Sequence, residues 1–380
     1  MRRSLLTMLV ISVAALIAAG FLDTNSYADD RLMPAAVLVA PKPDVDIISA
    51  PPPAVVVSDA SHDGLPAARP ATVLVAVGDI MLSRNVGDEM KKHDNAYPFA
   101  GVGNLLRSGN VVFGNLETSI IPGRPIKTGE MVFRADPGSE VALKDAGFTV
   151  LSLANNHVPN FGPAAVSETI KRLADVGLVE VGAGDDDAQA RRPAFVSRGG
   201  VIFAFLAYND TDVVPASYGA APGRAGTNLM DAIKMAADVA GAKKLADVVI
   251  VSMHAGSEYA DWPNSRQVNF AKSAIDAGAD LVIGHHPHVV QPVELYKGKY
   301  IFYSLGNFIF DQMWSEPTRR GLALKIGFNR GGITKLAVVP LYMKDFAQPR
   351  VAPEAEADKI FASLVMPVEK TPAGEYILKP

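Results

Sequence analysis

Short apolar runs alternate with longer amphipathic stretches over most of the chain. The runs are rich in Val, Ile and Leu and cover residues 72–78, 111–116, 151–154, 247–253, 280–283 and 300–306. Near-continuous runs of this kind are typical of strands that helices bury on both faces. Residues 164–176 and 266–277 carry apolar side chains at helical spacing, and each stretch precedes a glycine that can end a helix. The pattern predicts an α/β protein.

The two ends of the chain have a different character from this central part. Residues 1–28 combine a basic start, an apolar stretch and a small-residue cleavage site before Asp29, which predicts a signal peptide or an N-terminal anchor. Residues 29–70 are rich in Pro and Ala and predict an extended linker, with a short strand at 54–57 as the alternative. We expect one compact domain over residues 71–345, and a C-terminal tail over residues 346–380 with a short helix near 354–365.

The composition restricts the partners and the metal ligands that the chain can have. The 380 residues include 36 basic and 40 acidic side chains without a long basic block, so a nucleic-acid partner is not expected. Cysteine is absent, which excludes disulfides, thiolate metal sites and a lipid-anchor cysteine. A metal ion would therefore need nitrogen and oxygen ligands. The chain also lacks the Gly-rich phosphate loop of ATP-driven ligases.

The stretch from Gly284 to His288 reads Gly-His-His-Pro-His and directly follows an apolar run. Imidazole is the commonest protein ligand for transition metals. His286 and His288 are two residues apart, so in an extended segment they would point to the same side, and Pro287 would restrict the backbone between them. The stretch predicts half of a metal site, and the alternative is a solvated, His-rich turn.

Other polar side chains follow the remaining apolar runs in the same way. In open α/β sheets the ligand crevice lies outside the carboxyl ends of the strands. We therefore expect one cluster at one edge of the sheet, formed by Asp79, Glu117, Asn156, His157, His254, His286 and His288. Taken singly, each has a structural alternative: a turn acid, a turn amide, a helix cap or a buried, hydrogen-bonded histidine.

Two metal ions close together need bridging carboxylates and several imidazole or amide ligands, and such a pair clamps the attacking and leaving oxygens of a displacement. The predicted metal ligands are Asp79, Glu117, Asn156, His254, His286 and His288. His157 neighbours the proposed ligand Asn156 and could donate a proton to a leaving group. The pattern thus predicts a site for two divalent metal ions, which could be Mn, Zn, Fe or Mg.

Six segments together resemble the CapA family of poly-γ-glutamate capsule biosynthesis proteins, a branch of the calcineurin-like metallophosphoesterase fold. They lie at residues 78–82, 114–117, 153–157, 254–259, 286–289 and 304–308, in the order that the family shows. The resemblance implies a four-layer α/β sandwich of two mixed sheets flanked by helices, with a dinuclear metal site. It also implies His157 and Glu258 as catalytic residues, and as substrate-binding or supporting residues Arg84, Asn115, Asn155, His285 and Asn307.

The motifs also differ from related patterns. Typical metallophosphoesterases have Asp-x-His in the first motif, and this chain has Met81 in the third position. Their second motif is Gly-Asp-x-x-Asp, and the matching segment of this chain contains Asn115 and Glu117. The CapA branch shares both changes, which remove a metal ligand. Within the CapA pattern, Asn160 stands where Asp is usual and Ala255 where Trp is usual.

The resemblance implies an exported, periplasmic or membrane-associated protein of capsule or cell-envelope polymer synthesis or export. It would act through a metal-dependent hydrolase or transferase site. Its partners would be an anionic polymer or peptide substrate and a membrane-bound capsule synthesis complex. Three alternatives stay open: a periplasmic metallophosphoesterase for small phosphoesters, a non-catalytic capsule assembly factor, and a sugar- or peptide-binding protein with structural histidines.

Overall fold

A computed structural model of the protein describes residues 71–380, all of which belong to one compact unit. The predicted signal peptide or anchor at 1–28 and the predicted linker at 29–70 lie outside the described residues. Within the described part of the chain, no helix has the length and apolar character that crossing a membrane requires.

Twenty strands form in this part of the chain. They are β1 (Thr72–Ile80), β2 (Val111–Leu116), β3 (Ser119–Ile120), β4 (Arg134–Ala135), β5 (Val150–Ser152), β6 (Val179–Val181), β7 (Ala183–Gly184), β8 (Ala194–Arg198), β9 (Val201–Asn209), β10 (Gly226–Thr227), β11 (Val248–His254), β12 (Leu281–His285), β13 (Val293–Tyr296), β14 (Lys299–Phe302), β15 (Asn307–Ile309), β16 (Arg320–Asn329), β17 (Gly332–Met343), β18 (Pro349–Val351), β19 (Val368–Lys370) and β20 (Tyr376–Leu378).

The described residues also form nine α-helices. They are α1 (Arg84–Lys92), α2 (Gly103–Arg107), α3 (Ser139–Ala146), α4 (Pro163–Asp175), α5 (Asp187–Ala190), α6 (Ala232–Lys243), α7 (Ser265–Asp276), α8 (Glu316–Arg319) and α9 (Glu354–Ser363). Helices α4 and α7 lie within one residue of the positions that the apolar spacing predicts. At the start of α7, Asn264 and Gln267 form a reciprocal capping box, which satisfies backbone N–H groups at the helix end.

Two large mixed sheets carry the fold. The ten-stranded sheet has the order β19-β20-β17-β16-β1-β2-β5-β6, with β15 beside β1 and β18 beside β17. The six-stranded sheet has the order β13-β14-β12-β11-β9-β8. Strands β1, β2, β5 and β6 run parallel, and so do β9, β11, β12 and β14. Each sheet therefore has a parallel centre whose carboxyl ends can build a site.

The two sheets pack face to face through an apolar core. Phe113 of the first sheet stacks on Phe205 of the second at 5.3 Å between ring centroids. Helices α1 to α4 cover the outer face of the ten-stranded sheet, and α6 and α7 cover the outer face of the six-stranded sheet. This order of helices, sheet, sheet and helices confirms the predicted four-layer α/β sandwich.

The C-terminal residues differ from the separate tail that the sequence predicted. Strands β18 and β20 pair with β17, and β19 pairs with β20, so residues 349–378 extend the ten-stranded sheet. Ile360, Leu364 and Leu378 are buried in the core between the sheets. The boundary at 345/346 is therefore corrected, although the helix predicted near 354–365 is present as α9. Strands of three residues are too short to show a clear apolar period.

Candidate metal centre

The carboxyl ends of β1, β2, β11 and β12 meet at one edge of the two sheets. Asp79 is the second-last residue of β1, Glu117 directly follows β2, and His254 is the last residue of β11. Single carboxylate or imidazole atoms of these three buried residues lie within 4.8 Å of one another. Beside them, atoms of Glu258, His286 and His288 form a second group within the same distance. The site thus contains two neighbouring groups that could each hold a metal ion.

Asn156 and His286 connect these groups. The Oδ1 atom of Asn156 lies 2.9 Å from Nε2 of His254, and the rings of His254 and His286 are 4.7 Å apart at their centroids. Two ligand atoms that lie about 2.1 Å from one ion and at right angles are roughly 3 Å apart. The structure therefore brings the six predicted ligands together at one place, with amide oxygen and imidazole nitrogen at a spacing that suits a shared ion.

Buried polar atoms without partners support the same fit. Glu117 Oε1 and His286 Nδ1 have no hydrogen-bond partner among the described residues, although both side chains are buried. Burial raises the pKa of Glu117 well above its usual value, and the neighbouring carboxylates Asp79 and Glu258 raise it further. Buried groups normally find partners, and a divalent cation satisfies carboxylate and imidazole atoms at once. The donor set therefore fits such an ion.

Three histidines surround the carboxylate of Asp79. Nδ1 atoms of His285 and His288 lie 3.3 Å from its two oxygens, and the backbone N–H of His286 donates to it over 3.3 Å. Burial alone would raise the pKa of Asp79, but the contacts of His285 and His288 hold it well below its usual value. Asp79 is therefore ionised at neutral pH and is the fixed negative charge of the site.

The predicted supporting amides hold the ligands in place. Asn115 Nδ2 lies 2.9 Å from Asp79 Oδ1, 3.3 Å from Glu117 Oε2 and 3.3 Å from His254 Nδ1. Asn155 donates in turn to Asn115 Oδ1 over 3.0 Å, and Asn307 Oδ1 lies 2.9 Å from His288 Nδ1. A ligand that is oriented by a second contact loses less freedom when it binds an ion. These amides therefore pre-organise the site.

His157 lies on one side of this centre. Its Nε2 atom is 3.7 Å from Glu117 Oε1, and its ring stacks on Phe133 with centroids 3.8 Å apart. Burial lowers the pKa of His157 to about 3, so the ring is neutral at pH 7. Its position near Glu117 keeps it available for proton transfer at the site.

Arg84 is buried in an ion pair, whereas Glu258 is exposed. The guanidinium of Arg84 pairs with Asp311 and covers the ring of Phe133 at 4.6 Å. It therefore acts on the site through Phe133, which stacks on His157. Glu258, which the resemblance implies as catalytic, is exposed and stands with His286 and His288 in a group of ligand type. Sequence reasoning missed Asp311, although it follows the apolar residues 308–310 in the same strand-end manner.

The backbone angles at His286 and His288 differ from those that the sequence predicted. The sequence predicted an extended segment at His286 and His288, but both have positive φ angles of 98° and 59°. Arg84 and Tyr259 nearby also have positive φ angles, of 50° and 64°. Side-chain-bearing residues rarely adopt this left-handed region, and such strain clusters at functional sites. The two histidines converge because the loop curls after β12, with ring centroids 6.0 Å apart.

A glycine makes the approach of this loop feasible. A Cβ atom added to Gly284 would lie only 1.9 Å from the carbonyl oxygen of Tyr303. Only glycine therefore allows β12 to approach the segment after β14 so closely at the point where the histidine loop begins.

The fold and the site define an α/β sandwich with a candidate two-ion centre at the carboxyl ends of its strands. The chain belongs to the family of bacterial capsule synthesis proteins PGA_cap, which it matches over residues 73–312. It is 33% identical over 307 residues to the capsule biosynthesis protein CapA of Bacillus anthracis, covering 78% of this chain and 74% of the relative. It is 36% identical over 270 residues to the PGA biosynthesis protein CapA of Bacillus subtilis, covering 70% of each.

Solved structures give a weaker comparison. The chain is similar to the sulfate thiohydrolase SoxB of Thermus thermophilus, with a TM-score of 0.41 and 12% identity over 79% of this chain and 62% of that one. A similarity at this level carries no argument about the site.

Proposed function

We propose that this protein acts in the synthesis or export of a capsule or cell-envelope polymer, through a site that holds two divalent metal ions. Its family and the CapA relatives of both Bacillus species support the polymer context, and poly-γ-glutamate is the polymer that the resemblance names. The observation that carries the metal site is the convergence of buried carboxylate, amide and imidazole atoms, of which Glu117 Oε1 and His286 Nδ1 lack a hydrogen-bond partner among the described residues.

Different residues would bind the ions, orient the ligand side chains and transfer a proton. Ligands for two ions would be Asp79, Glu117, Asn156, His254, His286 and His288, with Glu258 beside the last two. Bound divalent ions would polarise a carbonyl or phosphoryl oxygen and lower the pKa of a water molecule. Asn115 and Asn307 orient ligand side chains, and His157 can take up a proton at Nε2, the ring nitrogen that faces Glu117. The reaction class that fits is hydrolysis or group transfer at a polymer linkage.

The site is proposed to work outside the cytoplasm, with a membrane-bound synthesis complex as partner. Residues 1–28 support this because they combine a basic start, an apolar stretch and a small-residue cleavage site. A fusion of residues 1–70 to a reporter enzyme that is active only after export tests the proposal. Active reporter supports export, and reporter that stays inactive in the cytoplasm contradicts it.

Metal analysis of the purified full-length protein tests the site. We expect bound transition metal in the wild type and its loss in the double variant His286→Ala, His288→Ala. His93→Ala is the matched control, because His93 is exposed and stacks on Tyr97 away from the site. Equal metal content in all three proteins would contradict the metal centre.

Activity is tested on the same preparations. γ-Glutamate oligomers and bis(p-nitrophenyl) phosphate distinguish a polymer-directed enzyme from a phosphoesterase for small substrates. Metal-dependent cleavage or transfer of the oligomer alone supports the proposal. Turnover of the phosphodiester alone favours the phosphoesterase alternative, and a metal-loaded protein that turns over neither favours an assembly factor.

A further inference from the structure

The two groups that could each hold a metal ion differ in exposure. The inner group, as we call it, is buried throughout and consists of Asp79, Glu117 and His254. The outer group has two buried histidines and one exposed carboxylate, and consists of His286, His288 and Glu258. Nδ1 of His286 has no hydrogen-bond partner among the described residues, although this side chain is only 4% exposed. The outer group is therefore a site that opens to water on the side of Glu258.

The inner group is the more rigid of the two and carries more charge. Nδ2 of Asn115 lies 2.9 Å from Asp79 Oδ1 and 3.3 Å from both Glu117 Oε2 and His254 Nδ1, so one amide orients all three members. The inner group has two carboxylates and the outer group has one. The affinity of a metal site rises with the charge of its ligands and with its rigidity. We therefore expect the inner group to hold its ion more tightly.

The backbone beside Glu258 is tied to the loop of the outer histidines. The backbone N–H of Tyr259 donates to the carbonyl oxygen of Pro287 over 2.8 Å. The ring of Tyr259 lies between those of His288 and Trp314, at centroid distances of 6.1 Å and 4.7 Å. Tyr259 has a positive φ angle of 64°, and such strain persists where the surroundings impose it. Glu258 is thus anchored at its backbone next to His286 and His288 while its side chain remains in water.

Met81 explains why the centre needs a further ligand. It stands where typical metallophosphoesterases have a histidine in the first motif. Met81 is fully buried, and its Sδ atom accepts the backbone N–H of Ser83 over 3.1 Å. Thioethers suit soft ions such as Cu(I), so Met81 does not replace the imidazole. Glu258 is outside the six ligands that the sequence predicts, and its carboxylate can supply the contact that this imidazole would make.

The number of bound ions decides the formal charge of the ions and their ligands. The carboxylates of Asp79, Glu117 and Glu258 carry three negative charges when ionised, against two positive charges of one divalent ion and four of a pair. Imidazole ligands bind a metal as neutral rings. The charge of Arg84 is cancelled by its ion pair with Asp311. The centre is thus negative with the inner ion alone and positive with both ions, and only the second state attracts an anion.

We propose that Glu258 is the closing ligand of an exchangeable outer ion, and that this ion enables the site to bind an anionic polymer. This inference rests on the proposed function and describes the regulation of the same site. The inner group retains its ion when free metal is scarce, whereas Glu258 releases the outer ion first because its side chain is exposed. Binding of the polymer then follows the supply of divalent metal.

Metal titration of the full-length protein, after a chelator has removed its ions, tests the role of Glu258. We expect calorimetry with Mn²⁺, and in parallel with Zn²⁺, to show one tight and one weaker site in the wild type. Loss of a contact that supports a ligand costs about 10–100-fold in metal affinity, so Glu258→Gln should weaken the second site by at least about a hundredfold. The tight site should not change. Glu258→Asp keeps a carboxylate and should retain more of the affinity.

Asp261→Asn is the matched control, because Asp261 is an exposed acid of the same loop and belongs to neither group. Thermal unfolding in chelator should be the same for the wild type and Glu258→Gln, since substitutions of exposed side chains rarely change stability. The inference is overturned if Glu258→Gln keeps both sites at wild-type affinity, if it loses both, or if Asp261→Asn has the same effect. Two ions that Glu258→Gln retains would contradict the inference alone, whereas a wild type that binds no ion would contradict the proposed function as well.

Calorimetry with a γ-glutamate tetramer tests the change of charge without any substitution. The wild type is compared after one and after two equivalents of metal. We expect the tetramer to bind at least about tenfold more tightly after two, because a difference of two unit charges near contact is worth more than that even in water. The uncharged γ-linked isoglutamine tetramer is the control and should not respond to the second equivalent. Equal binding of the glutamate tetramer in both states, or none in either, would overturn the role of the outer ion in substrate binding.

Discussion

The Nδ1 atom of His157 lies 2.9 Å from Oδ1 of Asn160, and the same oxygen accepts the backbone N–H of Phe133 over 2.9 Å. Asn160 Nδ2 donates to the carbonyl oxygen of Asn156, so its amide orientation is fixed by three contacts. An oxygen that faces Nδ1 requires a proton on that nitrogen. The neutral ring of His157 therefore carries its proton at Nδ1 and presents the lone pair of Nε2 to the site, which favours accepting a proton over donating one.

Asn160→Ala should change the tautomer of His157. Without the oxygen acceptor, we expect protonation to shift from Nδ1 toward Nε2, which nitrogen chemical shifts of ¹⁵N-histidine-labelled protein report. Asn160→Asp retains an acceptor and should retain the Nδ1–H form. Metal content should stay unchanged in both variants, which separates this positioning role from general damage. A wild-type ring that is already protonated at Nε2 would contradict the assignment.

His157→Ala should separate metal binding from turnover. A positioned acid or base contributes typically about 10²–10⁴-fold in rate, so activity on any identified substrate should fall by that order. Metal content should remain, because His157 is not among the proposed ligands. If metal content and thermal stability fall together with activity, His157 only supports the loop through its contacts with Asn160 and Phe133.

Glu117→Gln should affect stability in opposite directions with and without metal. Glu117 is buried beside Asp79, and its raised pKa means that the folded protein favours the neutral form. The folded state therefore loses stability as pH rises through the range where Glu117 ionises, and the amide removes this cost. In chelator at pH 7 the variant should be at least as stable as the wild type.

Added divalent metal should reverse that order. A ligand that binds only the folded state stabilises it by about 2.7 kcal/mol at a hundredfold excess over its dissociation constant. We expect this gain in the wild type and a much smaller one in Glu117→Gln, as measured by thermal unfolding. Identical responses of both proteins to metal would rule out Glu117 as a ligand.

Asn115→Asp should make folding depend on metal. The substitution replaces a donor that serves Asp79 and Glu117 with a third buried carboxylate. An uncompensated buried charge costs roughly 3–5 kcal/mol, so the metal-free variant should unfold at a much lower denaturant concentration. Divalent metal should restore part of the loss. Asn110→Asp is the control, since its exposed side chain only accepts the N–H of Val73. Equal stability of both variants in chelator would contradict the role of Asn115.

Asp280→Asn should lower stability at neutral pH but not in acid. Asp280 binds Lys243 Nζ at 2.5 Å and Lys299 Nζ at 2.8 Å, and accepts the N–H of Val249. Burial raises its pKa, but these contacts lower it below the usual value overall. Its stabilisation is therefore present above the unfolded pKa near 3.8 and is lost as pH falls through the lower folded pKa.

We expect Asp280→Asn to cost about 2 kcal/mol at pH 7, the size of hydrogen bonds to a charged group. The difference from wild type should shrink below about pH 4. Asp276→Asn is the control, because Asp276 pairs with Lys297 at the surface, where such pairs contribute about 0–1 kcal/mol. Urea unfolding across this pH range measures both, and a difference that does not change with pH would contradict the ionic explanation.

The sequence predicted the cluster at the strand ends better than it predicted the C-terminal residues. Parallel strands of one sheet share their carboxyl edge, so polar residues that follow separate apolar runs can be expected to meet, as Asp79, Glu117 and His254 do. Residues 346–380 were predicted as a tail because their three-residue strands carry no period. Their pairing with β17 depends on contacts distant in the chain, which local patterns do not encode.

The sequence by itself determined the α/β class, the positions of the long helices and the set of residues available as ligands, because these follow from local periodicity and residue chemistry. Only the tertiary structure decided how those residues approach one another. The curl at His286, whose N–H donates to Asp79, the orientation of the Asn160 amide by the N–H of Phe133, and the contact of Tyr259 with Trp314 each depend on a partner from another segment. Hydrogen bonds and packing across segments fix such geometry, and no single stretch of sequence contains both partners.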